Sequence, residues 1–344
     1  MITILLIIIA FGVLIFFHEF GHFVVAKLLG IKVLQFSFGL GKEILGKTIK
    51  DTRYSLCVLP IGGAVKLKGE NIEELDLEPD SFFGKKWYQR MFVVSMGPLM
   101  NYFLAVVLFS LLAYFYGVTN FSSEPVIGEV IEGKPAFTAG FKSKDRILKI
   151  NDIEITSWTQ MADIIHNSAG KELKFEVLRN DEKIIIKVTP EFDETINKGV
   201  VGITPSYEVK KVSFLKAVEI GFSQPIFLSI YSIGYLYDKL KKLQKPELAG
   251  PVGVFQVLSR SAKSGIENFL YTVAIISTML GLFNLFPIPI LDGGHILFCI
   301  IEGITRKMPS KKTFEIANFI GLSIIIFIFL FATYNDILRI MYKK

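Results

Sequence analysis

Hydrophobic residues in this chain cluster into long runs with few interruptions. Residues 2–28, 91–116, 269–301 and 314–334 are each apolar enough to span a bilayer, which takes ~20 residues of helix. Between the first two runs the pattern turns mixed. Tyr54 to Leu59 and Pro60-Ile-Gly-Gly-Ala-Val-Lys-Leu read as two short strands, and the Gly62-Gly63 pair reads as the turn of a hairpin. An acidic stretch from Glu70 to Asp80 follows and reads as a solvated loop. From residue 124 to 190 the pattern alternates as in a small soluble α/β domain. Strands are expected at residues 126–131, on either side of a tight turn at 147–155, and around the hairpin turn Arg179-Asn-Asp-Glu, with a helix over 158–167. About 65 residues suffice for a domain with its own core. Residues 213–243 read as an amphipathic helix, lying on a membrane surface or against the bundle.

These elements predict a polytopic α-helical membrane protein with about four transmembrane helices and one inserted α/β domain. The expected divisions are 1–117 for the first two spans, 118–200 for the inserted domain, 201–268 for the membrane-associated helical segment and 269–344 for the last two spans. Composition agrees with a membrane setting, because 51% of residues are hydrophobic. The net charge of +6 fits lysines and arginines flanking spans on the cytoplasmic side. No basic stripe with interleaved aromatics appears, so no nucleic-acid partner is expected. Cys57 and Cys299 stand far apart without metal-site spacing and read as structural. The first run has no basic n-region and continues past His18, unlike a signal peptide.

The strongest chemical signal lies inside the first run, as His18-Glu19-Phe20-Gly21-His22. Residues i and i+4 share a helix face, so both imidazoles can chelate one zinc ion while Glu19 serves as the general base for water. An ionisable group within a span is costly and marks function by default. A catalytic zinc takes three protein ligands and keeps a position for water. Among the other spans Asp292 stands out as an acid in apolar sequence, within Asn284-Leu-Phe-Pro-Ile-Pro-Ile-Leu-Asp-Gly-Gly-His295. Pro287 and Pro289 break the helix there, and the two glycines let backbone approach closely. Asp292 as the N-cap of the following half-helix is the bland alternative. His295, one turn on, reads as a neighbour or structural group more than as a fourth ligand. Gly97 and Asn101, four apart in the second span, read as helix packing. A metal transporter fits less well, since it needs polar groups spread over several levels.

The HEFGH and NLFPIPILDGGH stretches resemble the site-2 protease family, in its bacterial regulator-of-sigma-E protease branch. Pro60-Ile-Gly-Gly-Ala-Val-Lys resembles that branch's membrane-associated β-hairpin. The stretches Phe83 to Arg90, Gly97-Pro-Leu-Met-Asn101 and Gly250-Pro-Val-Gly resemble further segments of it, in the same order. Residues 124–190 resemble its PDZ domain, with Lys144 and Asp152 where the pattern usually has glycine. The resemblance implies an intramembrane zinc metalloprotease with His18, His22 and Asp292 as ligands and Glu19 as base. It also implies a substrate contact at Asn284. The implied substrates are single-span membrane proteins already trimmed by another protease, such as anti-sigma factors or leftover signal peptides. A membrane-anchored PDZ adaptor with an inactive metal site is the alternative.

Orientation follows from charge. The 27–90 and 306–312 loops are rich in Lys and Arg, which predicts both in the cytoplasm of a bacterial cell and both termini outside. His18 lies ~24 Å along the helix from Ile2, in its cytoplasmic half. For Asp292 to reach that depth the third span must enter from outside, so residues 220–237 are expected not to cross.

Overall fold

The computed structural model describes residues 2–71, 76–193, 196–246 and 249–342. The chain divides into two compact units, one formed by residues 1–115 with 213–344 and the other by residues 116–212.

The first unit begins with α1 (Ile2–Leu28), whose apolar residues leave no break until the exposed Leu28 and Gly30. Two long strands follow, β1 (Val33–Ile49) and β2 (Thr52–Leu67), then α2 (Trp87–Tyr116). The hairpin turn is at Lys50-Asp51, where Lys50 adopts φ +52° and Ile49 pairs with Thr52. The expected turn at Gly62-Gly63 is therefore wrong. Those glycines lie inside β2, and Gly62 at φ +112° bends it. The bend lets residues 33–38 use both edges. They pair with the end of β2 (Val33↔Leu67, Phe36↔Val65) and with its beginning (Gln35↔Arg53, Phe38↔Leu56). The acidic stretch is only partly solvated. Residues 72–75 lie outside the described residues, but Asp76, Glu78 and Asp80 gather around the Lys68 ammonium.

The second unit contains β3 (Val118–Phe121), β4 (Ile127–Val130), α3 (Pro135–Ala139), β5 (Arg146–Ile150), β6 (Ile153–Glu154) and α4 (Trp158–His166). It continues through β7 (Leu173–Arg179), β8 (Glu182–Val188), β9 (Glu191–Asp193), β10 (Lys198–Val200), β11 (Ile203–Pro205) and β12 (Tyr207–Lys210). The expected hairpin is present, with β7 and β8 joined through Asn180 and Asp181, both at positive φ. Ser157 caps α4 by accepting the Gln160 amide at 3.2 Å. Ile127, Ile147, Ile150, Met161, Phe175 and Val177 form a closed core. Lys144, where glycine was expected, adopts φ +71°. Beside it the buried Asp145 accepts two bonds from Arg179, at 2.7 and 2.8 Å.

The chain then rejoins the first unit as α5 (Phe214–Lys241), α6 (Pro251–Lys263), α7 (Ile266–Asn284), α8 (Asp292–Thr305) and α9 (Lys311–Tyr342). Tyr114 and Phe214 stack edge to face at 6.1 Å, so the two strands of chain leading to the inserted unit leave side by side. Of the two placements expected for residues 213–243, the structure has the one against the bundle. Ala217, Gly221, Pro225 and Ser229, four apart, form the buried stripe of α5. This stripe touches α2 at two points, Gly221 against Ser110 and Ser229 bonded to Tyr102 at 2.7 Å, and α5 also packs on α7. Among the described residues, four helices are long and apolar enough to cross a membrane: Ile2–Leu28, Trp87–Tyr116, Ile266–Asn284 and Lys311–Met341. The third expected span, 269–301, is two helices, because the Pro287 and Pro289 segment interrupts it. Leu14, Leu104, Leu258 and Val273 bring α1, α2, α6 and α7 into one core.

Candidate metal centre

α1 presents His18 and His22 one turn apart, and α8 brings Asp292 to them from far along the chain. The segment between α7 and α8 makes this possible. Ile290 is held at φ +80°, a conformation rare for a β-branched residue, and α8 starts two residues later. Any side chain at Gly293 collides with the carbonyl of Phe286, and any at Gly294 with that of Ile288. These glycines therefore let the broken segment fold back onto the first turn of α8. Asp292 is the first residue of that helix, and the N-cap, Leu291, makes no side-chain bond. Asp292 is thus not spent on capping.

The three side chains meet. The Nε2 atoms of His18 and His22 are 3.3 Å apart, Asp292 Oδ2 is 3.2 Å from His18 Nε2, and Asp292 Oδ1 is 3.6 Å from His22 Nε2. Donors at zinc–ligand lengths of ~2.0–2.1 Å in a tetrahedron lie about 3.3 Å from one another. The two imidazole nitrogens are spaced as two corners of such a tetrahedron, and a different carboxylate oxygen of Asp292 approaches each of them. Asp292 Oδ2 is buried and has no hydrogen-bond partner, as expected of an oxygen reserved for a cation. The side chains remain 15%, 14% and 17% exposed, so the cluster is not sealed from solvent. The residues fit a zinc ion.

α2 builds the back wall with Val93, Gly97 and Asn101, again four apart. His22 Nδ1 donates to the Val93 carbonyl at 3.0 Å, which leaves Nε2 as its free donor atom. His18 Nδ1 lies 3.3 Å from Asn101 Nδ2. Gly97 was expected to serve helix packing. Instead, a Cβ there would sit 2.2 Å from His22 Nε2 and 2.9 Å from His18 Cε1. The close helix approach is made by Gly21, whose Cβ position is 2.3 Å from the Met96 carbonyl oxygen. Gly97→Ala is expected to push both rings out of place and weaken zinc binding by about 100-fold or more, beyond the 10–100-fold effect of losing an outer partner. Competition with a chelator measures it, and unchanged affinity would mean that the rings are elsewhere.

Glu19 is half-buried beside this group, and its Oε2 accepts the Val65 amide of β2 at 3.1 Å. Gly63 approaches so closely that an added Cβ would lie 3.1 Å from Glu19 Cγ. Sequence reasoning missed this contact, since it depends on the bend in β2. Asn284 is the last residue of α7 and is half-buried at the break. His295 is outside the clustered donor group and lines a small cavity with Arg90, Cys299 and Glu302. Arg90 is buried, pairs with Glu302 and lies over the Phe83 ring at 5.2 Å, tying the far end of α8 to α2.

Two histidines one helical turn apart, an aspartate that meets them and a glutamate beside them are the donor set and base of a zinc metalloprotease, here in a unit with four helices apolar enough to cross a membrane. Comparison with known proteins narrows this to a family: residues 6–328 match Peptidase family M50, and the chain belongs to it. It is similar to the regulator of sigma-W protease RasP of Bacillus subtilis, 29% identical over 420 residues that cover 98% of this chain and 99% of that one. The zinc metalloprotease RasP of Bacillus licheniformis is 29% identical with the same coverage. A Rickettsia conorii homologue is 32% identical over 358 residues, covering 98% of this chain and 99% of its own. A solved PDZ domain from Listeria monocytogenes aligns over 26% of this chain and 93% of its own, with 21% identity and a TM-score of 0.22.

Proposed function

We propose that this chain hydrolyses peptide bonds within the membrane-spanning segments of single-span proteins. The observation that carries this is the convergence of the His18, His22 and Asp292 donor atoms beside Glu19, in a unit whose helices include four apolar enough to cross a bilayer. His18, His22 and Asp292 would hold a zinc ion, which when bound would supply Lewis acidity and bring the pKa of a water down toward neutrality. Glu19 accepts the proton of the attacking water at Oε1, while Val65 holds Oε2 in place. It then returns that proton to the leaving amide nitrogen. A helical substrate shields its own carbonyls, so it must unwind locally. Asn284, at the break between α7 and α8, offers an amide to the freed backbone. The family resemblance and the sigma-W regulator among the relatives support substrates pre-trimmed by another protease, of anti-sigma-factor or signal-peptide type.

The basic loops support a bacterial inner-membrane orientation with termini and inserted unit outside and the metal toward the cytoplasmic half. A cysteine placed at Ser206 is expected to react with an impermeant reagent from the outer side. Reaction only from the cytoplasmic side would reverse this topology.

Purified full-length protein in lipid vesicles, given a single-span substrate, is expected to cut inside the span. A zinc chelator should stop it and added zinc restore it. A protein that binds zinc and substrate but never cuts would instead be an adaptor.

A further inference from the structure

We infer that Asn101 is a positioning residue for the metal centre. In this reading its carboxamide oxygen accepts from His18 Nδ1–H and thereby fixes the tautomer whose Nε2 faces the metal. The inference rests on the proposed zinc site and assigns a role within it to a residue of α2.

The argument starts from His22. That ring has its Nδ1 on a backbone carbonyl, an obligate acceptor, so Nδ1 carries the proton and Nε2 holds a free lone pair. His18 faces the same centre with the same atom, since its Nε2 is 3.3 Å from His22 Nε2 and 3.2 Å from Asp292 Oδ2. A neutral imidazole with a free Nε2 lone pair carries its proton on Nδ1. The atom opposite His18 Nδ1 must then be an acceptor, and the group found there is the Asn101 side chain, at 3.3 Å.

That amide is 1% exposed, so water cannot stand in for it. With Nδ2 toward the ring, two N–H groups confront each other in the metal-binding tautomer, and Asn101 Oδ1 is left buried without a partner. The oxygen and NH2 ends of a carboxamide occupy nearly the same shape, and the hydrogen-bond network decides between them. Turning the amide over puts Oδ1 on His18 Nδ1–H. One end of the amide is unpaired either way, so the exchange adds no orphan, and only the turned orientation matches a ligand histidine. The backbone of Asn101 is held independently, because Ser277 Oγ donates to its carbonyl at 2.8 Å. The side chain is therefore free of that packing duty.

Zinc affinity by chelator competition separates the possibilities in the full-length protein. Asn101→Leu, which keeps the volume and loses the acceptor, is expected to weaken binding about 10–100-fold. Asn101→Asp, which keeps an acceptor oxygen, should stay within a few-fold of the parent. If the leucine variant fails to fold, Asn101→Ala takes its place in the same titration. Parent-like affinity in the variant lacking the acceptor overturns the inference, as does equal weakening by the aspartate variant. Each leaves the zinc reading standing, provided the parent binds zinc and His22→Ala does not. Failure of the parent to bind zinc overturns both.

Discussion

Glu19→Gln is expected to keep one zinc per chain and to lose cleavage by about 10²–10⁴-fold, the usual contribution of a positioned general base. Glutamine preserves the shape of the side chain, and its carboxamide oxygen can still accept from the Val65 amide. It cannot take the water's proton. None of the three clustered donor atoms belongs to Glu19, so the metal should remain. Parallel measurement of zinc content and turnover checks the split. Near-parental cleavage would remove Glu19 from the chemistry, and loss of zinc would make it a ligand.

Asp292→Ala should act in the opposite order, removing the metal first and activity as a consequence. Its two carboxylate oxygens approach the two imidazoles, one at 3.2 Å and the other at 3.6 Å. Two imidazoles alone hold zinc far less tightly, so the loss should exceed the 10–100-fold typical of an outer partner. The backbone should survive the change, because Asp292 caps nothing and the turn depends on Gly293 and Gly294 instead. Stoichiometric zinc in this variant would move the third ligand elsewhere, with His295 first in line because it sits one turn away.

What could be read from the residues divides by range. His18 and His22 were legible because helical spacing alone places them together. Asp292 was legible because an acid in apolar sequence demands a reason. The hairpin of β7 and β8 was legible because its alternation and its Asn-Asp turn agree. The long hairpin was misjudged because glycines signal both turns and bends. The turn fell at Lys50-Asp51, while Gly62 and Gly63 curve β2 toward Glu19. The wall of the site was hidden for a different reason. Val93 contributes a backbone carbonyl, which no side chain advertises, and Gly97 contributes only absent volume. Their meaning appears once α1 lies against α2. The stripe of Ala217, Gly221, Pro225 and Ser229 was present in the spacing, but which surface it would meet depended on α2.

The zinc K-edge absorption spectrum of the loaded, full-length protein probes the ligand set without any substitution. The account predicts a four-coordinate site with two imidazole nitrogens at ~2.0–2.1 Å, a carboxylate oxygen and one further light oxygen from water. A third imidazole, or a sulfur at ~2.3 Å, would contradict it.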